Sequence, residues 1–413
     1  MISRTYSLRG IVGKELTEKV INKFAGNAIN YIYEKDLNKA IIVGCDNRLS
    51  SDYINNLLQS KIVKSGIKVL SAGECSMPEL VYLTRNFRAG LGIMITASHN
   101  SSEYNGFKCF DCYGEGLDIT DVGYKRVRRK VDFERVIDIS RYKELYFRDL
   151  KNSLTKNDIK CVFDCSNGST RDVVRKLFKK SKIINTSSYN KLSAWKYDDD
   201  NLDGLIGLCK KNKCIGFNFS SDGSRVKVIS SRGEVLDGDK IVYILASQFL
   251  YKGETVVGTS DSSIALELSL RRLGIKFVRE TVGIDNICNR IKRCKYVLGG
   301  ESCGHIVIDK IGVSDGVYTA ILILNILNRT GLGLEDLLIH YKKMYTSSKN
   351  ILLKDVVNLE FDSLNMSTSR LRIIVRKSKT EPMVRIVIEG EEEKEVNEHT
   401  KRVLMRLGDK YEK

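Results

Sequence analysis

Residues 94–108 read MITASHNSSEYNGFK, and within them Ser98 stands between a small residue and a histidine, just after the apolar run Leu91-Gly92-Ile93-Met94-Ile95. That run has the length and composition of a buried strand. Ser98 then falls in the loop where the strand ends, and in open α/β sheets the ligand crevice lies at those carboxyl ends. A serine hydroxyl placed there can carry a transferable group such as a phosphoryl group. The same segment also reads as an ordinary Ser/Asn turn held by its own local hydrogen bonds, so taken alone it leaves both readings open. Cys109-Phe110-Asp111-Cys112 is an isolated C-x-x-C without a second pair or a neighbouring histidine pair, which makes it a weak zinc or redox candidate.

The elements that must position Ser98 follow from the apolar runs around it. Ala40–Gly44, Ile67–Leu70 and Gly92–Ile95 are strand-like, and an apolar-periodic helix over Tyr53–Val63 lies between the first two. Strand, helix, strand at this spacing argues for a parallel sheet with crossover helices. The pattern restarts at Ile159–Asp164, with a helix near Arg171–Phe178, a strand at Ile215–Phe219 and a helix over Ile241–Leu250. It restarts again at the strand Thr255–Gly258, followed by a helix over Ser262–Leu273, strands at Ile275–Val278 and Tyr296–Leu298, and a helix over Val317–Leu327. The tail differs: Arg370–Arg376 and Met383–Glu389 alternate as a β pair around a polar loop, and a charged helix runs from about Lys394 to Leu407. The expectation is an α/β chain of three related units, without a strict sequence repeat, plus a small C-terminal α+β unit.

The chain of 413 residues is 42% hydrophobic, enough for packed cores, and its 2 prolines leave no Pro-rich linker. Its formal charge of +17, from 68 Lys+Arg against 51 Asp+Glu, is dispersed along the sequence. A solvated lysine-rich surface is favoured over nucleic-acid binding, and such a surface draws in anionic substrates such as sugar phosphates. The opening MISRTYSLRG lacks the apolar core of a signal peptide, and no run of about 18 apolar residues is present to span a membrane. The expectation is a cytoplasmic protein with reduced cysteines and neither nucleic acid nor membrane as partner.

Several separated segments together resemble the α-D-phosphohexomutase superfamily over nearly the whole chain. Ala97-Ser98-His99-Asn100 with Asn105, Gly106 and Lys108 resembles its phosphoserine loop, and Arg9-Gly10 its early phosphate-contacting turn. Gly299-Gly300-Glu301-Ser302-Cys303-Gly304-His305 resembles the sugar-recognition loop, and Arg376–Pro382 (RKSKTEP) the phosphate-binding loop of the last domain. Arg9–Thr17, Tyr82–Ala89 and Asp164–Gly168 are most similar to the bacterial phosphoglucosamine mutase subfamily. The resemblance implies an intramolecular phosphotransferase, an isomerase that interconverts glucosamine 6-phosphate and glucosamine 1-phosphate. It would work through phospho-Ser98 and a sugar bisphosphate intermediate, with a sugar 1,6-bisphosphate as primer. It further implies mixed sheets around a central cleft, in a phosphoserine-loop domain (1–153), a metal-loop domain (154–252), a sugar-recognition domain (253–362) and a phosphate-binding domain (363–413). A homodimer is left open.

On that resemblance Ser98, Lys108, His99 and Arg9 are the catalytic candidates, with Lys108 as acid/base or charge partner. Thr281, Gly283, Glu301, Ser302, His305 and Arg225 are expected to line the sugar. His305 either titrates as an acid/base or braces its loop. Arg376 and Arg385 can fork onto the non-reacting phosphate, with Ser378 and Thr380 adding hydroxyls.

The family holds Mg²⁺ with D-x-D-x-D followed by arginine. The matching segment here is Ser220-Ser221-Asp222-Gly223-Ser224-Arg225, so two of three aspartates are serines. Ser98, Ser220, Asp222 and Ser224 are the candidate metal site, and magnesium, which prefers hard charged oxygens, is expected to bind more weakly. The segment Leu192–Asp200 and the start Arg4–Gly10 also depart from the family pattern. Two other readings therefore stand beside the glucosamine-phosphate mutase: an impaired or inactive member that binds phosphosugars, and a phosphomannomutase/phosphoglucomutase.

Overall fold

The computed structural model describes residues 2–4, 7–98, 100–119, 135–155, 158–187, 202–352, 362–368, 370–377 and 383–407. They form a mixed α/β structure with four sheets. The first sheet has seven strands in the order Ile2–Arg4, Ser7–Ile11, Tyr104–Phe110, Leu91–Ile95, Ala40–Cys45, Lys68–Glu74, Val136–Asp138. Its central strands are buried on both faces, which is why Ala40–Cys45 and Leu91–Ile95 read as unbroken apolar runs. Helices Glu18–Glu34 and Ser51–Val63 cover one face and Met77–Asn86 the other. The second sheet runs Val235–Leu236, Val226–Ile229, Ile215–Phe219, Cys161–Asp164, Lys182–Ile184, and the third Lys276–Glu280, Thr255–Thr259, Leu298–Gly300, Ile306–Ile308. One apolar core joins the second and third units, with Phe163, Phe217 and Leu245 from one and Val256, Ile321 and Leu324 from the other.

The three sheets share one device. Leu91–Ile95, Ile215–Phe219 and Leu298–Gly300 each pair with a parallel neighbour on one side and an antiparallel strand on the other. The loop joining each to its antiparallel partner is in turn the Ser98 loop, the Ser220–Arg225 loop and the Glu301–His305 loop. The restarts seen in the sequence are thus structural repeats, and each puts one candidate loop at the carboxyl end of a buried strand.

The fourth sheet is antiparallel: Tyr345–Leu352, Met383–Gly390, Leu371–Lys377, Met366–Ser367, backed by the helix Glu393–Leu407. Tyr345–Leu352 pairs along its length with Met383–Gly390. It lies before the expected boundary at 363, in sequence assigned to the third unit, yet its ladder ties it to the fourth. Its side chains are mostly exposed, so it carries little of the apolar alternation that marks a strand. Among the described residues no helix is long and apolar enough to cross a membrane.

Candidate active site

Ser98 is 1% exposed, and its hydroxyl has no hydrogen-bond partner among the described residues. Its backbone is left-handed, at φ 55°, a conformation that costs a β-carbon-bearing residue about 1 kcal/mol or more. Neighbours hold it there. Thr96 Oγ1 accepts from Ser98 N at 2.8 Å, and the Ser98 carbonyl accepts from Arg48 Nη2 at 2.8 Å and Ser221 Oγ at 2.6 Å. Arg48 also donates to the carbonyls of Asn100, Ser101 and Tyr104 at 2.7–2.9 Å. Asp46 accepts from Arg48 Nε at 3.2 Å and from Thr96 Oγ1 at 2.6 Å. Asp46, Arg48 and Thr96 were not among the sequence candidates. The available signal was a D-x-R followed by Ser50-Ser51 at the carboxyl end of the buried strand Ala40–Cys45, where charged residues are most often solvated.

The strand Tyr104–Phe110 brings Lys108 to the same place. Its ammonium is 2.8 Å from Asp222 Oδ2, with the two side chains 1% and 0% exposed, and it lies 3.6 Å from Met77 Sδ. Burial would raise the Asp222 pKa, but the Lys108 charge and hydrogen bonds outweigh it and hold the carboxyl well below its usual range. Burial lowers the Lys108 pKa, and Asp222 offsets only part of this. Arg9 and Arg225 are close enough for their charges to bear on Lys108. Arg9, opposite Gly106 in the ladder, donates to Asn100 Oδ1 at 2.8 Å.

The Glu301–His305 loop docks on the Ser220–Arg225 loop. Gly304 has φ 88°, and a Cβ there would meet Val226 O at 2.5 Å, so the approach requires glycine. Arg225 Nε donates to His305 Nε2 at 2.8 Å, while His305 Nδ1 faces Ser224 O at 3.0 Å and Ser314 Oγ at 3.1 Å. An arginine can only donate, so the imidazole proton is assigned to Nδ1. Burial first, then Arg225 and Lys108, keep the His305 pKa well below its ordinary value. With Nε2 accepting from Arg225, His305 is held neutral between the two loops. Glu301 Oε1 accepts from Gly283 N at 3.0 Å, and the Ser302 carbonyl accepts from Gly238 N at 2.9 Å. Thr281 is more peripheral, its hydroxyl accepting from Asn286 Nδ2 at 2.9 Å.

Residues 1–129 match the family model for phosphoglucomutase/phosphomannomutase alpha/beta/alpha domain I, and residues 237–344 match that for domain III. The phosphoglucosamine mutase of Dictyoglomus thermophilum is 32% identical over 429 residues, spanning 95% of this chain and 92% of that protein. The chain belongs to the α-D-phosphohexomutase superfamily. With the family goes its reaction class, an isomerase that acts as an intramolecular phosphotransferase. The fold matches too. A phosphoglucomutase/phosphomannomutase family protein from Burkholderia thailandensis superposes with TM-score 0.82 at 22% identity, covering 98% of each chain. The N-acetylphosphoglucosamine mutase of Aspergillus fumigatus, solved with GlcNAc-6P and magnesium, gives TM-score 0.58 at 17% identity, covering 80% of this chain and 92% of that one.

Two features of this phosphohexomutase bear on the sequence expectation. Asp222 is the one carboxylate left in its loop, and both oxygens are taken. Oδ1 accepts from Ser220 Oγ at 2.9 Å, Ser224 Oγ at 2.7 Å and Ser224 N at 3.2 Å, while Oδ2 faces Lys108. Magnesium needs several hard oxygens with lone pairs to give; here the serine hydroxyls donate to the carboxylate. This donor set does not fit the ion. Arg376, expected to fork onto phosphate, is forked onto Asp261 in this structure, with Nε 2.9 Å from Oδ1 and Nη2 against Oδ2. Arg385 faces Arg376 across the ladder. His99, Ser378, Thr380 and the segment Leu192–Asp200 lie outside the described residues.

Proposed function

We propose that this phosphohexomutase interconverts glucosamine 6-phosphate and glucosamine 1-phosphate, with Ser98 as the phosphoryl carrier. The observation that carries the reading is the Ser98 hydroxyl: buried, without a partner among the described residues, on a backbone held left-handed, and beside the loop whose Asp222 pairs with Lys108. A sugar oxygen bonds to the phosphorus of phospho-Ser98 as the P–Oγ bond breaks, and the proton given up by the sugar hydroxyl ends on Ser98 Oγ. The bisphosphate so formed turns over in the site, and Ser98 takes back the other phosphoryl group. Such transfers depend on positioning and on neutralising charge, which is work suited to Arg9, Lys108 and Arg225.

Glucosamine phosphate is favoured over glucose or mannose phosphates by the full-length similarity to phosphoglucosamine mutases. The relative solved with magnesium argues for a divalent ion in the family reaction; in this chain the matching loop keeps one carboxylate, which Lys108, Ser220 and Ser224 already engage. The test is a coupled assay of glucosamine 1-phosphate, glucose 1-phosphate and mannose 1-phosphate with a sugar 1,6-bisphosphate primer. Turnover highest with the amino sugar is expected, and a preference for either neutral sugar would overturn the assignment. A phosphosugar-binding protein without catalysis is the second reading, favoured by the saturated Asp222. Intact-mass measurement separates the two: a species heavier by one phosphoryl group, absent in Ser98→Ala, excludes it.

A further inference from the structure

We infer that the Lys108 ammonium is the resident cation of this site, standing where the family holds a divalent ion, so that the protein handles phosphoryl groups without metal. The functional consequence rests on the mutase reading above; the metal assignment rests on geometry alone.

The replacement is complete on both sides. Exchanging two loop carboxylates for serines removes two negative charges and leaves Asp222 buried, where an unpaired charge would be costly. Both oxygens of Asp222 are instead engaged from within the protein. Ser220 and Ser224 turn their hydroxyls onto Oδ1, and Lys108 occupies Oδ2. The lysine is not a mobile surface arm that an incoming ion could push aside. Its strand is paired on both edges, with Ser7 opposite Lys108 on one and Met94 on the other. Its ammonium is enclosed between Asp222 and Met77.

The charge balance points the same way. Lys108 sits on Asp222, Arg9 and Arg225 are close enough for their charges to bear on Lys108, and Arg225 donates to the adjacent His305. Cations set so closely disfavour a further divalent cation and suit a phosphoryl group carrying about −1.5 to −2. No bond of the transfer changes under this assignment; what changes is the cation that faces the moving oxygens.

The test is calorimetric titration with Mg²⁺ and Mn²⁺, together with melting curves with and without EDTA. Both are run on the full chain before and after incubation with glucose 1,6-bisphosphate. Wild type is expected to give no saturable heat at millimolar metal and a melting temperature that neither EDTA nor Mg²⁺ moves. The Ser220→Asp/Ser224→Asp variant is expected to gain a saturable site and a Mg²⁺-dependent rise in melting temperature. Saturable wild-type binding that Asp222→Asn removes, or turnover abolished by EDTA, would overturn the inference. A folded double variant that still ignores Mg²⁺ would overturn it too, and if that variant does not fold the wild-type titration decides. Absence of turnover on every hexose phosphate, with the metal titrations blank, sinks the mutase reading and leaves the metal assignment standing.

Discussion

At the scale of single residues, Ser98 occupies a backbone position that glycine would fill more cheaply. Its φ of 55° lies where L-residues pay a steric cost. Ser98→Gly and Ser98→Ala both remove the phosphoryl carrier, but only the first relieves the backbone. Ser98→Gly is expected to unfold about 1 kcal/mol later than Ser98→Ala in urea; equal midpoints would show that the loop carries no such strain. Arg48 supports the same loop from beneath. Arg48→Ala removes four donor contacts to loop carbonyls and leaves Asp46 buried without its cation. Urea titration is expected to show a loss on the order of 3 kcal/mol, and a loss under 1 kcal/mol would count against that role. Ser98 was legible because an apolar run ends just before it. Arg48 and the burial of Lys108 were not, because lysine and arginine are almost always solvated. What buries them here is chain from far along the sequence: the Ser98 loop over Arg48, and the Asp222 loop over Lys108.

At the scale of elements, the buried strands were legible as apolar runs, and the helices as periodic ones. The antiparallel turn closing each of the first three sheets was not, because pairing direction leaves no mark on composition. The edge strand Tyr345–Leu352 escaped because a strand open to solvent needs little apolar alternation. One cap ties an element to pH. Asp315 Oδ1 accepts from Tyr318 N at 2.9 Å, capping the helix Gly316–Thr330, and Oδ2 accepts from the Tyr146 hydroxyl at 2.9 Å. Burial pushes its pKa up to about 6, against about 3.9 unfolded. The folded state therefore binds the proton more tightly. This contribution to stability is full below the unfolded value, falls as pH rises through about 6, and is gone above it. Asp315→Asn keeps the cap acceptor and cannot titrate. Urea midpoints from pH 4 to 8 are expected to fall for wild type and to flatten for the variant, which should be at least as stable as wild type above about pH 7. An unchanged slope in the variant would assign the pH dependence to other groups.

At the scale of the whole molecule, charged and polar contacts between residues far apart in the chain join the units alongside the apolar core that the second and third share. Arg171 forks onto Glu74, Arg85 donates to Ile311 O at 2.6 Å, and Arg225 reaches His305. None was legible, since spacing along the sequence says nothing of which loops meet. The fourth sheet docks in the same manner. Arg372 donates to the carbonyls of Ser260 and Ser262, and Arg376 grips Asp261. The last contact has a consequence for ligand binding. Asp261 holds the guanidinium that was expected to receive the substrate's phosphate, and a ligand phosphate must displace that carboxylate. Both partners are about 24% exposed, so the pair is worth only about 0.2–1 kcal/mol, whereas a phosphate offers more charge and more oxygens to the same fork. Asp261→Asn removes the competing charge and leaves the Arg372 contacts in place. It is expected to bind glucosamine 6-phosphate up to about fivefold more tightly by calorimetry, which is the upper end of the pair energy converted to affinity, while its melting temperature changes little. Weaker or unchanged binding would mean that Arg376 serves the docking of the fourth sheet and takes no part in holding phosphate.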